Sequence, residues 1–272
     1  MQNVWVVNAF GTQVNKGNPA GVCLVDEFPE QAEMQTIAYE LGFSNTAFVK
    51  NIDKDKFQIR WFTPDSEAPL CGHATIGSMH VLIEEKMVAP DSEVTFESQS
   101  GNLFVTRTDT WYNLNFPAYI TETITPTKQM LKITDAKPTF VGVGQNCLFF
   151  ELASENELKD LTVDLELLKT FEYRALIATC KGEKKYDFMS RYFAPKVGID
   201  EDPVCASAHC RLIPYWAQKL QKREMLAYQA SSRGGIIKCQ NLGNRVLISG
   251  EAVTVFKGNV KTEELKKLRY VA

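Results

Sequence analysis

The sequence predicts an α+β protein of two similar domains, each a set of strands around one buried helix. Three observations predict it. One stretch occurs twice: Phe62-Thr63-Pro64 and Leu70-Cys71-Gly72-His73-Ala74 lead into an apolar segment, Thr75 to Glu85. Phe193-Ala194-Pro195 and Val204-Cys205-Ala206-Ser207-Ala208-His209 lead likewise into Cys210 to Leu220. Strand-like runs flank both copies, and 272 residues suffice for two domains of ordinary size.

The elements follow in order. Val4 to Phe10 is β-branched and aromatic, a strand. Gly17-Asn18-Pro19-Ala20-Gly21 reads as a compact turn into a strand over Val22 to Val25. Pro29 to Gly42 is a helix with Glu30 and Glu33 in its first turns, an apolar stripe of Met34, Ile37, Ala38 and Leu41, and a terminating glycine. Ser44 to Val49 and Phe57 to Thr63 are strands. Ile76, Met79, Val81, Leu82 and Ile83 leave the first cysteine helix little polar face, so it belongs inside its domain. Three further runs to Phe116 are β, with a turn at Gly101-Asn102.

A proline- and threonine-rich stretch then begins the second half. Phe140 to Leu152 is strand-like, broken by Gly142, Gly144 and Asn146. Short helical patches lie over Glu155 to Leu168, and strands over Ala175 to Cys180 and Tyr186 to Phe193. An acidic loop, Ile199 to Pro203, precedes the second cysteine helix, in which Pro214 is expected to introduce a kink. Leu226 to Ala230, Gly235 to Cys239 and Arg245 to Phe256 read as strands, and Thr262 to Tyr270 as a short basic helix packed on the first domain. The domains are placed at 1–117, completed by a tail of about 258–272, and at 118–257.

Composition sets bounds. The chain is 44% hydrophobic and 23% charged with a net charge of -3, a globular balance without a nucleic-acid footprint. No apolar run reaches membrane-spanning length, and the first ten residues lack the pattern of a signal peptide. Seven cysteines without CxxC pairs point to a reducing cytoplasm rather than a disulfide framework or zinc site. With three histidines and no HExxH, no metal is expected.

The chemistry lies at the two helix starts. A first helical turn carries unpaired N–H groups and a partial positive charge, and tiny residues let a carboxylate approach it. A cysteine there is expected to have a lowered pKa and to gain thiolate character. Two such thiols facing one bound carboxylate in an interdomain cleft suit inversion at carbon, one removing a proton and the other returning one. Each cysteine taken alone reads as a small buried hydrophobe; their matching positions favour the site.

Asn8-Ala9-Phe10, Gly17-Asn18-Pro19-Ala20, Ser44-Asn45-Thr46-Ala47-Phe48, Arg60-Trp61-Phe62-Thr63-Pro64 with Glu67, Leu70-Cys71-Gly72-His73-Ala74-Thr75 and Asp200-Glu201-Asp202-Pro203 leading to Ser207-Ala208-His209 together resemble the phenazine-biosynthesis PhzF-like family over nearly the whole chain. The resemblance implies the diaminopimelate-epimerase fold, two pseudo-symmetric halves, each a β-barrel-like sheet around a central helix. It also implies a cofactor-independent isomerase or epimerase, a homodimer, with Gly72, His73, Ala206 and Ser207 as anion-binding turns and Asp202 beside the substrate. Asn18 is a further candidate for substrate binding. Two departures matter. The family's usual proton-moving glutamate is Asn45 here, and an amide does not titrate near neutrality. The second motif, more often Thr-Gly-Ser, reads Cys205-Ala206-Ser207, placing a thiol at each helix start as in diaminopimelate epimerase and proline racemase.

The first expectation is therefore a racemase or epimerase acting on a small amino-acid-like carboxylate, with Cys71 and Cys205 as acid/base thiols. A PhzF-like double-bond isomerase or lyase using Asp202 or Glu67 stays open, as does a catalytically silent binding protein. No cofactor, nucleic acid or membrane partner is expected, and His209 reads as structural.

Overall fold

The computed structural model describes residues 1–261. The chain divides into two units: Met1–Asn115 together with the chain from Gly250, and Phe116–Ser249. The architecture is α+β and sheet-dominated. The helix expected over Thr262 to Tyr270 lies outside the described residues.

Unit 1 begins with β1 (Gln2–Ala9) and β2 (Asn18–Val25), an antiparallel pair. Helix α1 (Gln31–Leu41) ends where Gly42 turns left-handed, φ 66. It lays Met34, Ile37 and Ala38 on Phe48 and Phe62. β3 (Thr46–Asp53) runs parallel to β2 and antiparallel to β4 (Lys56–Phe62). After the short β5 (Glu67–Ala68) comes α2 (Gly72–Glu84), buried from His73 to Met79 and at Val81 and Leu82. It packs on β1, β2 and β3. A Cβ on Gly77 would stand 3.4 Å from Val7 Cβ, which shows how close helix and strand lie. β6 (Val94–Ser98) is parallel to β4 and continues antiparallel into β7 (Gly101–Thr108) and β8 (Trp111–Pro117).

Unit 2 repeats that order. β9 (Glu122–Thr123) edges β10 (Phe140–Gly144), which turns at Gln145 and Asn146, both with positive φ, into β11 (Cys147–Glu151). Helices α3 (Glu155–Asp160) and α4 (Leu165–Thr170) start on the side-chain caps of Ser154 and Asp164. β12 (Ala175–Lys181) is parallel to β11 and antiparallel to β13 (Phe188–Phe193). α5 (Ala206–Leu220) precedes β14 (Glu224–Gln229), which is parallel to β13 and leads antiparallel into β15 (Gly235–Asn241) and β16 (Arg245–Gly250). Each unit thus reads as a hairpin, a parallel step, a hairpin, a parallel step and a three-stranded meander, with the long buried helix entering at the same point.

The chain then returns. β17 (Ala252–Val260) pairs antiparallel with β1 in unit 1. Residues 250–257, placed above with the second half, therefore lie with the first, and the single strand read over Arg245 to Phe256 is two. The break has a steric cause. Gly250 packs against the Phe10 ring, where a Cβ would come within 2.2 Å, and Phe10, itself at φ 62, donates its N–H to the Glu251 carbonyl.

Helix α5 runs continuously through Pro214. Proline removes one helical N–H and strands the carbonyl four residues earlier. That carbonyl, of Cys210, accepts the Tyr119 N–H at 2.9 Å, and the Tyr119 ring lies under the Arg211 guanidinium, 5.2 Å from its centroid.

Candidate active site

In each unit a cysteine is the N-cap of the long helix. Cys71 (φ -145, ψ 114) precedes α2 and Cys205 (φ -104, ψ 102) precedes α5. Neither helix has an acid in its first turn or a capping side-chain hydrogen bond, whereas α1, α3 and α4 all carry Glu there. No acid within the first turn offsets the positive ends of α2 and α5, an arrangement that suits an anion. The loop before each cysteine is fixed in the same way. Arg60 of β4 grips Glu67 through two bonds of 2.8 and 2.7 Å, and Arg191 of β13 grips Glu201 through two of 2.7 and 2.9 Å.

In unit 1, Cys71 Sγ lies 3.4 Å from His73 Nδ1. Asn18 donates its side-chain amide to that same nitrogen at 3.3 Å, which makes Nδ1 an acceptor and puts the ring proton on Nε2. Nε2–H then donates to Ser44 Oγ at 3.3 Å, and the Ser44 hydroxyl donates to Asn18 Oδ1 at 3.4 Å. The three side chains form a closed ring that orients the imidazole toward the thiol. Burial lowers the His73 pKa to about 4, so the ring is neutral at pH 7. The structure thus brings Asn18, Cys71 and His73 into one group, with Gly72 between the thiol and the imidazole. Asn45 adjoins it through Ser44.

In unit 2, Asp202, Cys205, Ala206 and Ser207 are also gathered. Gln229 of β14 ties the turn from both sides: its Oε1 accepts the Cys205 N–H at 2.9 Å and its Nε2 donates to the Asp202 carbonyl at 2.7 Å. Asp202 Oδ1 accepts the Val204 N–H, and Cys205 Sγ sits 3.2 Å from Ser207 Oγ. Burial pushes the Cys205 thiol well up and the Asp202 carboxylate adds to this, against the opposing pull of Ser207 and the Ala208 amide. The thiolate expected at this helix start is therefore corrected. Desolvation outweighs the helix terminus, and Cys205 rests as a thiol. His209, read as structural, hydrogen-bonds the Cys205 carbonyl through Nδ1 at 2.8 Å inside the core.

Glu67, considered as a proton carrier, is held by Arg60 and by Gln99. Among the described residues no group of side chains fits a metal ion, and no helix is long and apolar enough to cross a membrane.

The sequence profile described as Phenazine biosynthesis-like protein matches residues 7–258. The chain belongs to the phenazine biosynthesis-like family. Relatives within that family include an "uncharacterized isomerase" of Halalkalibacterium halodurans, 40% identical and aligned over 94% of this chain and 97% of its own. The mouse "phenazine biosynthesis-like domain-containing protein 1" is 38% identical over 94% and 98%. A crystal structure of a PhzF-family protein from Enterococcus faecalis superposes with a TM-score of 0.91 at 39% identity, covering 95% and 98% of the two chains. A probable proline racemase from Agrobacterium radiobacter, at 10% identity and a TM-score of 0.68 over 96% of this chain and 93% of that one, shares the fold.

Two participants escaped the sequence. Gln229 sits 24 residues beyond Cys205, at the end of β14, and no local pattern announces it. The Arg191–Glu201 pair was findable, since Arg191-Tyr192-Phe193 repeats Arg60-Trp61-Phe62 in spacing and sense.

Proposed function

We propose that this protein is a cofactor-independent isomerase of the racemase or epimerase type. It moves a proton at the carbon beside the carboxylate of a small amino-acid-like substrate, with Cys71 and Cys205 as the two proton-carrying thiols. The observation that carries this reading is the duplicated N-cap cysteine, each on a buried helix with no acid in its first turn. The relatives named isomerases support the broader class.

The chemistry is a proton exchange. Cys71 passes its proton to the neutral imidazole of His73, and the resulting thiolate removes the Cα proton. The helix N–H groups hold the carboxylate and stabilise the charge that develops on it. The Cys205 thiol delivers a proton to the opposite face and is left as thiolate. Burial holds His73 near pKa 4, so its imidazole takes the Cys71 proton only transiently.

A second reading has one favouring observation. Asp202 is a buried carboxylate beside Cys205, and it would carry the proton in a PhzF-like double-bond isomerase.

Proton NMR in D₂O separates them. Reduced protein is incubated with L- and D-amino acids, proline, hydroxyproline and diaminopimelate, and loss of the Cα–H signal is followed. The two-thiol reading expects exchange that collapses in Cys71→Ser and in Cys205→Ser. Exchange that survives both variants and disappears in Asp202→Asn overturns it in favour of the second reading. Tight binding without exchange of any compound marks a binding protein.

A further inference from the structure

Asn45 supplies a buried polar atom that the Cys71–His73 group leaves out. The residue is 8% exposed, and its Oδ1 is buried without a hydrogen-bond partner. It is pinned on both sides. Ser44, its neighbour, is bound to His73 and Asn18, and its own main-chain carbonyl accepts the Gly21 N–H at 3.2 Å. The main-chain carbonyl is satisfied while the side chain carries an acceptor with nothing to accept. Native proteins keep few such groups, because each forfeits its hydration without recompense. Leucine has nearly the shape of asparagine and would remove the penalty. An asparagine retained here, next in the chain to the serine that binds His73, is explained by a ligand that brings a donor.

We propose that Asn45 Oδ1 accepts a hydrogen bond from an N–H or O–H on the substrate carbon next to the carboxylate. The protein then takes 2-amino, cyclic 2-amino or 2-hydroxy acids and rejects acids lacking that donor. This rests on the two-thiol reading and names its substrate class. In an inverting site the carboxylate and the heteroatom must be recognised while the hydrogen stays open to the thiols. A neutral amide oxygen does so without adding a third base.

Two measurements test it, neither needing turnover. First, thermal unfolding of the ligand-free protein is compared with Asn45→Leu. The expected result is a rise of about 2–4 °C in the variant; a fall shows that the amide oxygen serves the fold and overturns the proposal. Second, binding of matched acids is followed by saturation-transfer NMR: lactate against 2-methoxypropanoate, and proline against tetrahydrofuran-2-carboxylate. The donor-bearing member should bind about tenfold or more tightly to the wild type, and the preference should vanish in Asn45→Leu. Equal binding by the wild type, a preference that persists in the variant, or no binding of either donor-bearing acid overturns it. Should both arms succeed while Cα exchange survives Cys71→Ser and Cys205→Ser, the two-thiol reading falls and the acceptor stands.

Discussion

Asn18 donates its side-chain amide to Nδ1 of His73 at 3.3 Å, and that bond decides which imidazole nitrogen faces Cys71 as a lone pair. The opposite tautomer would set an N–H against an N–H. Nitrogen-15 NMR of labelled protein should therefore show His73 with a bare Nδ1 and a protonated Nε2 at pH 7. Ser44→Ala removes the acceptor for Nε2–H and should mix the tautomers. If the reading of Cys71 as a proton carrier holds, it should also slow exchange by about tenfold or more.

Acid stability carries a second signature. Burial holds both His73 and His209 near pKa 4, against an ordinary value of 6.5. The unfolded chain binds their protons first as pH falls, so the stability they confer is complete above pH 6.5 and drains away as pH drops toward 4. Between pH 7.5 and pH 5 each should cost about 2 kcal/mol. Urea unfolding at the two pH values measures the sum, and His209→Gln should remove about half of that difference.

Gln229→Leu tests the brace behind Cys205. The substitution leaves a buried N–H and a buried carbonyl without partners. A loss of about 2–4 kcal/mol in unfolding free energy is expected. Gln229→Glu keeps the acceptor for the Cys205 N–H and should lose less. Equal stability of wild type and the leucine variant would show the brace to be idle.

All seven cysteines are buried. A thiol reagent at pH 7.5 should label the native protein slowly at every position and all seven sites rapidly after denaturation. Cys205, with its thiol raised by burial and Asp202, should be among the slowest. Rapid native labelling of Cys205, located by mass spectrometry, would contradict its placement.

What was legible in the sequence follows from what is local. Two helix starts marked by proline, cysteine and tiny residues could be read because capping and helix entry are decided within a few residues. Asn18 was misread as part of a turn, because Gly17-Asn18-Pro19 has the composition of punctuation. Only Gly17 turns, at φ 75, with the Ala9 carbonyl where a Cβ would stand. Asn18 is already strand, its side chain turned inward to His73. The break at Gly250 depended on a ring 240 residues away. The state of the Cys205 thiol depended on burial, which no spacing rule reports.

The pairing of β1 with β17 has a consequence for synthesis. A chain emerging from a ribosome releases residues 116–249 as an uninterrupted block while β1 has only β2 beside it. The unit that is begun first is finished last. In that interval the far edge of β1 is an open template for another chain, and a transcript truncated anywhere before Ala252 would yield a product that never closes it.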